Sequence, residues 1–256
     1  LSLLIGVAEP APDFQVPCLF NSIALVQASG WEIISRKQLL PTYDVFDEKR
    51  YFRPSTNTGF IKLEDGNKKI NLGVTICEDL WFDEEIQGQK IAGPDPIKQL
   101  IKKNIDVLIN LSASPFSHSK DSVRYQLARK AIKKIQSPMI YLNQVGGNDE
   151  LIFDGDSFVL NSKGEVNLTL PTCSESIAVW NTELDKVTTE LIQPDPQEKL
   201  FKALTLGVKD YAKKCGFSSA LIGLSGGIDS ALVAVIAVAA LGAKNVTAVL
   251  MPSPWS

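Results

Sequence analysis

NLGVTICEDLWF, residues 71–82, is a run of strand-forming residues that ends at Cys77 and is followed at once by Glu78 and Asp79. The run predicts a buried strand. A free cysteine closing such a strand is usually a small, inert apolar residue. Its neighbours decide whether Cys77 is more than that.

Short strands surround it. LSLLIGVAE (1–9), SIALVQ (22–27), WEIISRK (31–37), KINLGVTIC (69–77), DVLINLSAS (106–114), PMIYLNQV (138–145), DSFVLN (156–161) and SIAVWN (176–181) carry β-branched or aromatic residues at strand length. Helices are predicted near Pro96–Lys103 and Ser122–Gln136; in the second, Val123, Leu127, Ala128, Ala131 and Ile132 form an apolar stripe opposite Arg and Lys. To about Trp180 this is a layered α/β domain. QPDPQ (193–197) then interrupts regular structure, because each proline biases its predecessor away from helix. An amphipathic helix ending at Gly216 follows, then a strand, a glycine turn, a helix and a second strand, the order of a βαβ unit with parallel strands. The chain divides accordingly into residues 1–190 and 191–256.

Composition narrows the function. A net charge of −3 lacks the basic face of a nucleic-acid binder, so small molecules are the expected partners. Cys18, Cys77, Cys173 and Cys215 lie far apart with no CxxC pair, which fits a reducing, cytoplasmic setting and argues against a structural zinc site. No charged n-region precedes an apolar core. The apolar stretches at residues 1–12 and 230–243 fall short of the roughly 20 residues of a membrane span. The second predicts a helix buried on most sides. The one histidine, His118 in SHSKDS, reads as a solvated loop residue, so a Cys-His or Ser-His pair has a single candidate base.

LSGGIDSA (224–231) sits where a strand feeds a helix. Gly226 and Gly227 let backbone amides close on an anion at the helix N-terminus. Ser225 and Ser230 add hydroxyls, and Asp229 suits a cation that neutralises phosphate. The alternative is a tight turn with a capping aspartate. The pattern is neither GxxxxGK[ST] nor GxGxxG. It resembles the SGGxDS loop of the ATP pyrophosphatase superfamily, whose members cleave ATP to AMP and pyrophosphate; the resemblance assigns ATP to Ser225, Gly226, Gly227, Ile228, Asp229 and Ser230, and Mg2+ to Asp229.

RKQLLPTYDVFDEKRYF (36–52), TICEDLWF (75–82), NLSASPF (110–116) and NQVGGNDELIFDGDSFVL (143–160) occur in an order that resembles the glutaminase domain of the glutamine-dependent NAD synthetases, a branch of the nitrilase superfamily. With the SGGIDS loop, the resemblance covers nearly the whole chain. It implies a nitrilase-like α/β/β/α sandwich followed by the start of a parallel-sheet ATP-pyrophosphatase domain. By this resemblance Cys77 is the nucleophile toward the glutamine carboxamide, with Lys37 favouring its thiolate and the tetrahedral oxyanion. The Glu78 N–H is a second oxyanion donor. Tyr43, Glu78 and Trp81 match glutamine-recognising positions, Glu48 supports the lysine, and Ser112 or Ser114 lines the pocket. Two packing aromatics and a strand-end acid explain the first three residues nearly as well.

The family places its general-base glutamate in an upstream Pro-Glu context. Here only Glu9-Pro10 occurs, reversed in order and too near Lys37, so Glu9 is not assigned. The resemblance implies that the chain starts after that glutamate and ends one βαβ unit into the second domain, performing neither half-reaction well by itself. The parent reaction adenylates nicotinic acid adenine dinucleotide with ATP and amidates it with glutamine-derived ammonia. The family pattern also implies homo-oligomers. The alternatives are another carbon-nitrogen hydrolase or amidase fused to an ATP-pyrophosphatase domain, and a non-catalytic binding or assembly module.

Overall fold

A computed structural model describes residues 1–13, 15–43, 45–65, 68–82, 93–183 and 195–251. The proposed boundary near 190 and the motif around Gln193 and Pro194 lie outside them. The central element is a six-stranded sheet whose order is β11-β10-β7-β6-β5-β4. It comprises β4 (Gly59–Asp65), β5 (Lys68–Ile76), β6 (Val107–Ser112), β7 (Met139–Asn143), β10 (Phe158–Leu160) and β11 (Val166–Thr169). Strands β5, β6 and β7 run parallel, with Thr75 opposite Asn110 and Asn110 opposite Tyr141. Such strands are covered on both faces. That is why residues 72–76 form an unbroken buried run.

Each face of this sheet has its own core. On one lie the helices α2 (Pro96–Ile101) and α3 (Lys120–Ile135), whose Ile97, Leu100, Ala128, Ala131 and Ile132 pack with Leu108, Met139, Phe158 and Leu160. A Cβ at Gly73 would lie 2.7 Å from the Ile105 side chain and 3.0 Å from that of Leu100, so a larger residue there would displace both. On the other face lies a three-stranded antiparallel sheet of β1 (Leu3–Pro10), β2 (Leu19–Gln27) and β3 (Gly30–Arg36). Its Ile23 and Leu25 pack against Ile61, Leu72, Val74, Ile76 and Val107. Helix on sheet on sheet is the layering of the nitrilase-like fold, which the chain adopts.

Helix α3 departs from expectation in one respect. Leu127, Ala128, Ala131 and Ile132 are buried as the stripe predicts, but Arg124 is buried with them rather than solvated. Four strands were not anticipated: β4, β11, and the hairpin of β8 (Val145–Asn148) and β9 (Leu151–Asp154). SIAVWN, expected as a strand, is not one; Ile177 and Val179 are 97% and 92% exposed and among the described residues no strand pairs with them. Alternation without a neighbour leaves backbone N–H and C=O groups to water.

The second unit begins with α4 (Pro196–Lys214), capped by Asp195, which accepts the Gln197 N–H at 2.8 Å. It ends at Gly216 with φ +76, the left-handed position anticipated there. Helix α4 rests on the β8–β9 hairpin, where Gly147 donates its N–H to Asp210 at 2.8 Å. Next come β12 (Ala220–Leu224), α5 (Ile228–Leu241) and β13 (Val246–Leu250), with β12 and β13 parallel, as predicted. Helix α5 is not buried on most sides. Leu232, Val233 and Val235 are exposed, and among the described residues α5 packs chiefly against α4, β12 and β13. Among those residues no helix is long and apolar enough to cross a membrane.

Candidate active site

Strand β5 ends at Ile76, and Cys77 opens a single 3₁₀ turn, Cys77–Leu80. Cys77 has φ +44, a left-handed conformation rare for a residue with a Cβ. Such strain persists only where surroundings over-determine it. Two anchors do so. Asn110, on the neighbouring parallel strand, donates from Nδ2 to the Cys77 carbonyl at 3.2 Å and to Thr75 Oγ1 at 3.1 Å, while Ser112 donates to Asn110 Oδ1 at 2.6 Å. Asp79 supplies the other. Its Oδ1 accepts the N–H groups of Gln38 and Leu39, each at 2.9 Å, and its Oδ2 accepts that of Ile76 at 3.1 Å.

Asp79 thereby ties the segment after β3 to the turn that carries Cys77. Lys37 lies in that segment, only 1% exposed, and its Nζ is 2.6 Å from Glu48 Oε1 on the short helix α1 (Glu48–Tyr51). Glu78 is also buried, and Tyr43 donates its hydroxyl to Glu78 Oε1. The second oxygens of Glu48 and Glu78 are buried without a hydrogen-bond partner among the described residues. Trp81 closes one side, with the Lys120 ammonium 5.2 Å from its ring centre and 6.0 Å from that of Phe46. The structure therefore brings together Cys77, Lys37, Glu48, Tyr43, Glu78 and Trp81, which are scattered over 45 positions of sequence.

The charges oppose one another. Burial pushes the Cys77 thiol up; Lys37 and, more weakly, Lys120 pull it down, while Glu78 and Glu48 add to the upward push. The net shift is upward, so Lys37 lowers the thiol relative to an uncharged pocket but does not make a resting thiolate. The pull of Lys37 toward the thiolate is outweighed by burial. Burial works against the charge of Lys37, yet Cys77, Glu48 and Glu78 together raise its pKa, keeping it cationic. Glu78 is pushed up by burial, against its bond from Tyr43 and the field of Lys37.

Both candidate serines reach this region. Ser112 bonds Asn110, Ser114 is 4% exposed, and both interact with the buried Tyr141 hydroxyl, which burial pushes up to about 12. Tyr141 also feels Cys77 and Arg124. Sequence reasoning did not single out Lys120, Asn110, Asp79, Arg124 or Tyr141. Asn110 and Asp79 lie inside the motifs that carried the resemblance, whereas Lys120 follows an exposed His118 in a stretch that reads as surface loop. Glu9 lies elsewhere, bound to Arg36 at 2.7 and 2.5 Å and to Ser22 at 2.8 Å.

The glycine loop is a separate place. Gly226 has φ +90, and Gly227 is the N-cap of α5 with no side-chain cap. Ser230 Oγ donates to the Gly227 carbonyl at 2.9 Å and lies 3.4 Å from Ser225 Oγ. Ser225, Gly226, Gly227, Ile228, Asp229 and Ser230 are therefore gathered at one helix start, open to solvent except for the partly covered Ser230. Among the described residues no cluster of three acidic, His or Cys residues fit for a metal occurs, at Asp229 or elsewhere.

Comparison with known proteins bears on both places. Residues 1–190 match the carbon-nitrogen hydrolase family and residues 200–256 match NAD synthase. A glutamine-dependent NAD(+) synthetase of Synechocystis sp. is 46% identical over 264 residues, covering 100% of this chain and 47% of that protein. One from Thermotoga maritima is 35% identical, covering 100% of this chain and 48% of its own length. A solved glutamine-dependent NAD+ synthetase of Acinetobacter baumannii in complex with adenosine diphosphate superposes with a TM-score of 0.82 at 36% identity, over 98% of this chain and 45% of that one. The chain spans about half the length of the relatives it matches.

Proposed function

The chain belongs to the carbon-nitrogen hydrolase family, and from that premise we propose that Cys77 releases ammonia from glutamine for a glutamine-dependent NAD synthetase reaction. The observation that carries this is the strained Cys77 facing a fully buried, cationic Lys37 at the end of a parallel strand. The thiol sulfur attacks the carboxamide carbon, the tetrahedral oxygen gains negative charge, and the Lys37 ammonium and the Glu78 N–H stabilise it. Collapse breaks the carbon–nitrogen bond; the thiol proton, passed through a base, leaves with the nitrogen as ammonia. Water then hydrolyses the thioester to glutamate.

Glutamine fits the remaining groups. The unpartnered Glu78 oxygen suits the substrate ammonium, held in place by Tyr43. Lys120, above Trp81, suits its carboxylate. Ser112 and Ser114 lie at the same pocket, and Glu48 keeps Lys37 charged and in place.

Residues 1–190 would then form the glutaminase unit and 191–256 the start of the synthetase unit. In the second, the N–H groups after Gly226 and the hydroxyls of Ser225 and Ser230 offer donors without a competing carboxylate except Asp229. That donor set fits ATP phosphates, with Asp229 as one ligand of a magnesium ion that screens them. The acceptor is nicotinic acid adenine dinucleotide, adenylated by ATP and amidated by the ammonia. Homo-oligomers and a cytoplasmic setting, consistent with the free cysteines, complete the reading.

The test supplies amide-labelled 15N-glutamine, ATP, magnesium and the acid dinucleotide to the purified protein in a version extended at both ends to the length of the relatives it matches. The label is expected in the carboxamide of NAD; Cys77→Ala should abolish this while leaving synthesis from ammonium salts. Label transfer that survives Cys77→Ala contradicts the proposal.

A further inference from the structure

A second group of buried charges lies behind the pocket, where α4 meets the first unit. Lys199, in the first turn of α4, bonds Asp156 and lies 3.3 Å from Asp121 Oδ2 and 3.4 Å from Asp154 Oδ2. Asp156 is also bonded by Thr172. Arg124 takes the other side of Asp154, with Nη1 2.9 Å from Oδ1 and 3.1 Å from Oδ2. Three carboxylates thus share two cations in a place where Arg124 and Asp154 are almost wholly removed from water. Removing one cation leaves buried carboxylates facing each other, which is costly enough to force movement.

That movement has a direct route to the pocket. Arg124 spends its other donors on Ser114, from Nη2 to the carbonyl at 2.7 Å and from Nε to Oγ at 3.3 Å, with a further contact to the Pro115 carbonyl at 3.3 Å. Asn143 grips Ser114 from the opposite side, accepting its N–H at 2.8 Å and donating to its carbonyl at 3.1 Å, while its Nδ2 lies 3.5 Å from Asp154 Oδ1. Both grips on Ser114 therefore rest on Asp154, and Asp154 rests on Arg124 and Lys199.

We propose that Lys199 is a positioning residue for the glutamine pocket, setting the placement of Ser114 through Asp154 and Arg124, so that the seating of α4 tunes glutamine binding. This rests on the assignment of Cys77 and Ser114 to a glutamine site. A merely structural lysine would affect stability alone; a positioning lysine shifts KM for glutamine in protein that remains folded.

The experiment measures glutamine hydrolysis and melting temperature for the purified protein extended at both ends to the length of the relatives it matches, as wild type, Lys199→Met and Lys199→Arg. Lys199→Met is expected to raise KM for glutamine roughly 3- to 30-fold with little change in kcat, and Lys199→Arg to restore most of it. Iodoacetamide labelling of Cys77 should be unchanged. If Lys199→Met does not fold, Lys199→Met/Asp156→Asn removes the pair together and is expected to show the same rise. An active wild type with unchanged KM in the folded variant overturns the positioning role alone; a wild type that hydrolyses no glutamine overturns the glutaminase assignment and this role with it.

Discussion

Cys77 stands between opposed charges, and the sign of each is testable at the thiol. Lys37 lowers the Cys77 pKa whereas Glu78 raises it. Since the thiolate is the reacting species, Lys37→Met should slow iodoacetamide alkylation of Cys77 at pH 8 and Glu78→Gln should speed it, each by about tenfold per unit of pKa moved. In both variants the rate should climb with pH through the alkaline range. Quantified by peptide mass mapping against the exposed Cys18 and Cys215, equal rates in the two variants would show that the neighbouring charges do not reach the sulfur. Glu78→Gln also removes the proposed partner of the substrate ammonium, so KM for glutamine should rise even as the thiol becomes more reactive. At this scale the sequence was readable where a motif spans the contact, as in TICEDLWF. It was silent on Lys120 and Tyr141, because only the fold brings them to Cys77.

Among elements, the turn after β5 depends on one carboxylate. Asp79 receives three backbone N–H groups, yet burial pushes its pKa up to about 6, from an ordinary value of 3.8, against those bonds. A carboxyl that binds its proton more tightly folded than unfolded favours the folded state at low pH, and that advantage is lost as pH rises from about 4 to about 6. In urea titrations, the stability of the wild type relative to Asp79→Asn should therefore fall by about 2–3 kcal/mol across that window and stay level above it. A difference that is flat from pH 4 to 7 would mean that Asp79 does not titrate there. Strand β5 was legible because both faces of its second half are buried and LGVTI (72–76) is almost wholly apolar. Strand β4 was not: at the sheet edge, GFIKLED places Lys62 and Glu64 in water between Ile61 and Leu63. SIAVWN misled for the opposite reason, since its alternation describes a strand but supplies no neighbour to pair with.

Across the whole molecule, the nitrilase-like layering follows from two cores on either side of one sheet, and both were foreshadowed by apolar runs. What no local pattern could show is the buried Arg124. On a helical wheel it falls on the face of Leu127, Ala128 and Ala131, but an arginine there reads as out of place until the fold supplies Asp154 from β9 and the carbonyls of Ser114 and Pro115 as its partners. The same long-range ties connect the two units, through Gly147 with Asp210 and through Lys199 with three aspartates. The central claim, that Cys77 is the nucleophile of a glutamine site, is tested most directly by exposing the purified protein to a glutamine-like diazo ketone and mapping the adduct by mass. The account predicts modification at Cys77 alone among Cys18, Cys77, Cys173 and Cys215, with protection by glutamine. An unlabelled Cys77, or labelling that glutamine does not slow, would contradict it.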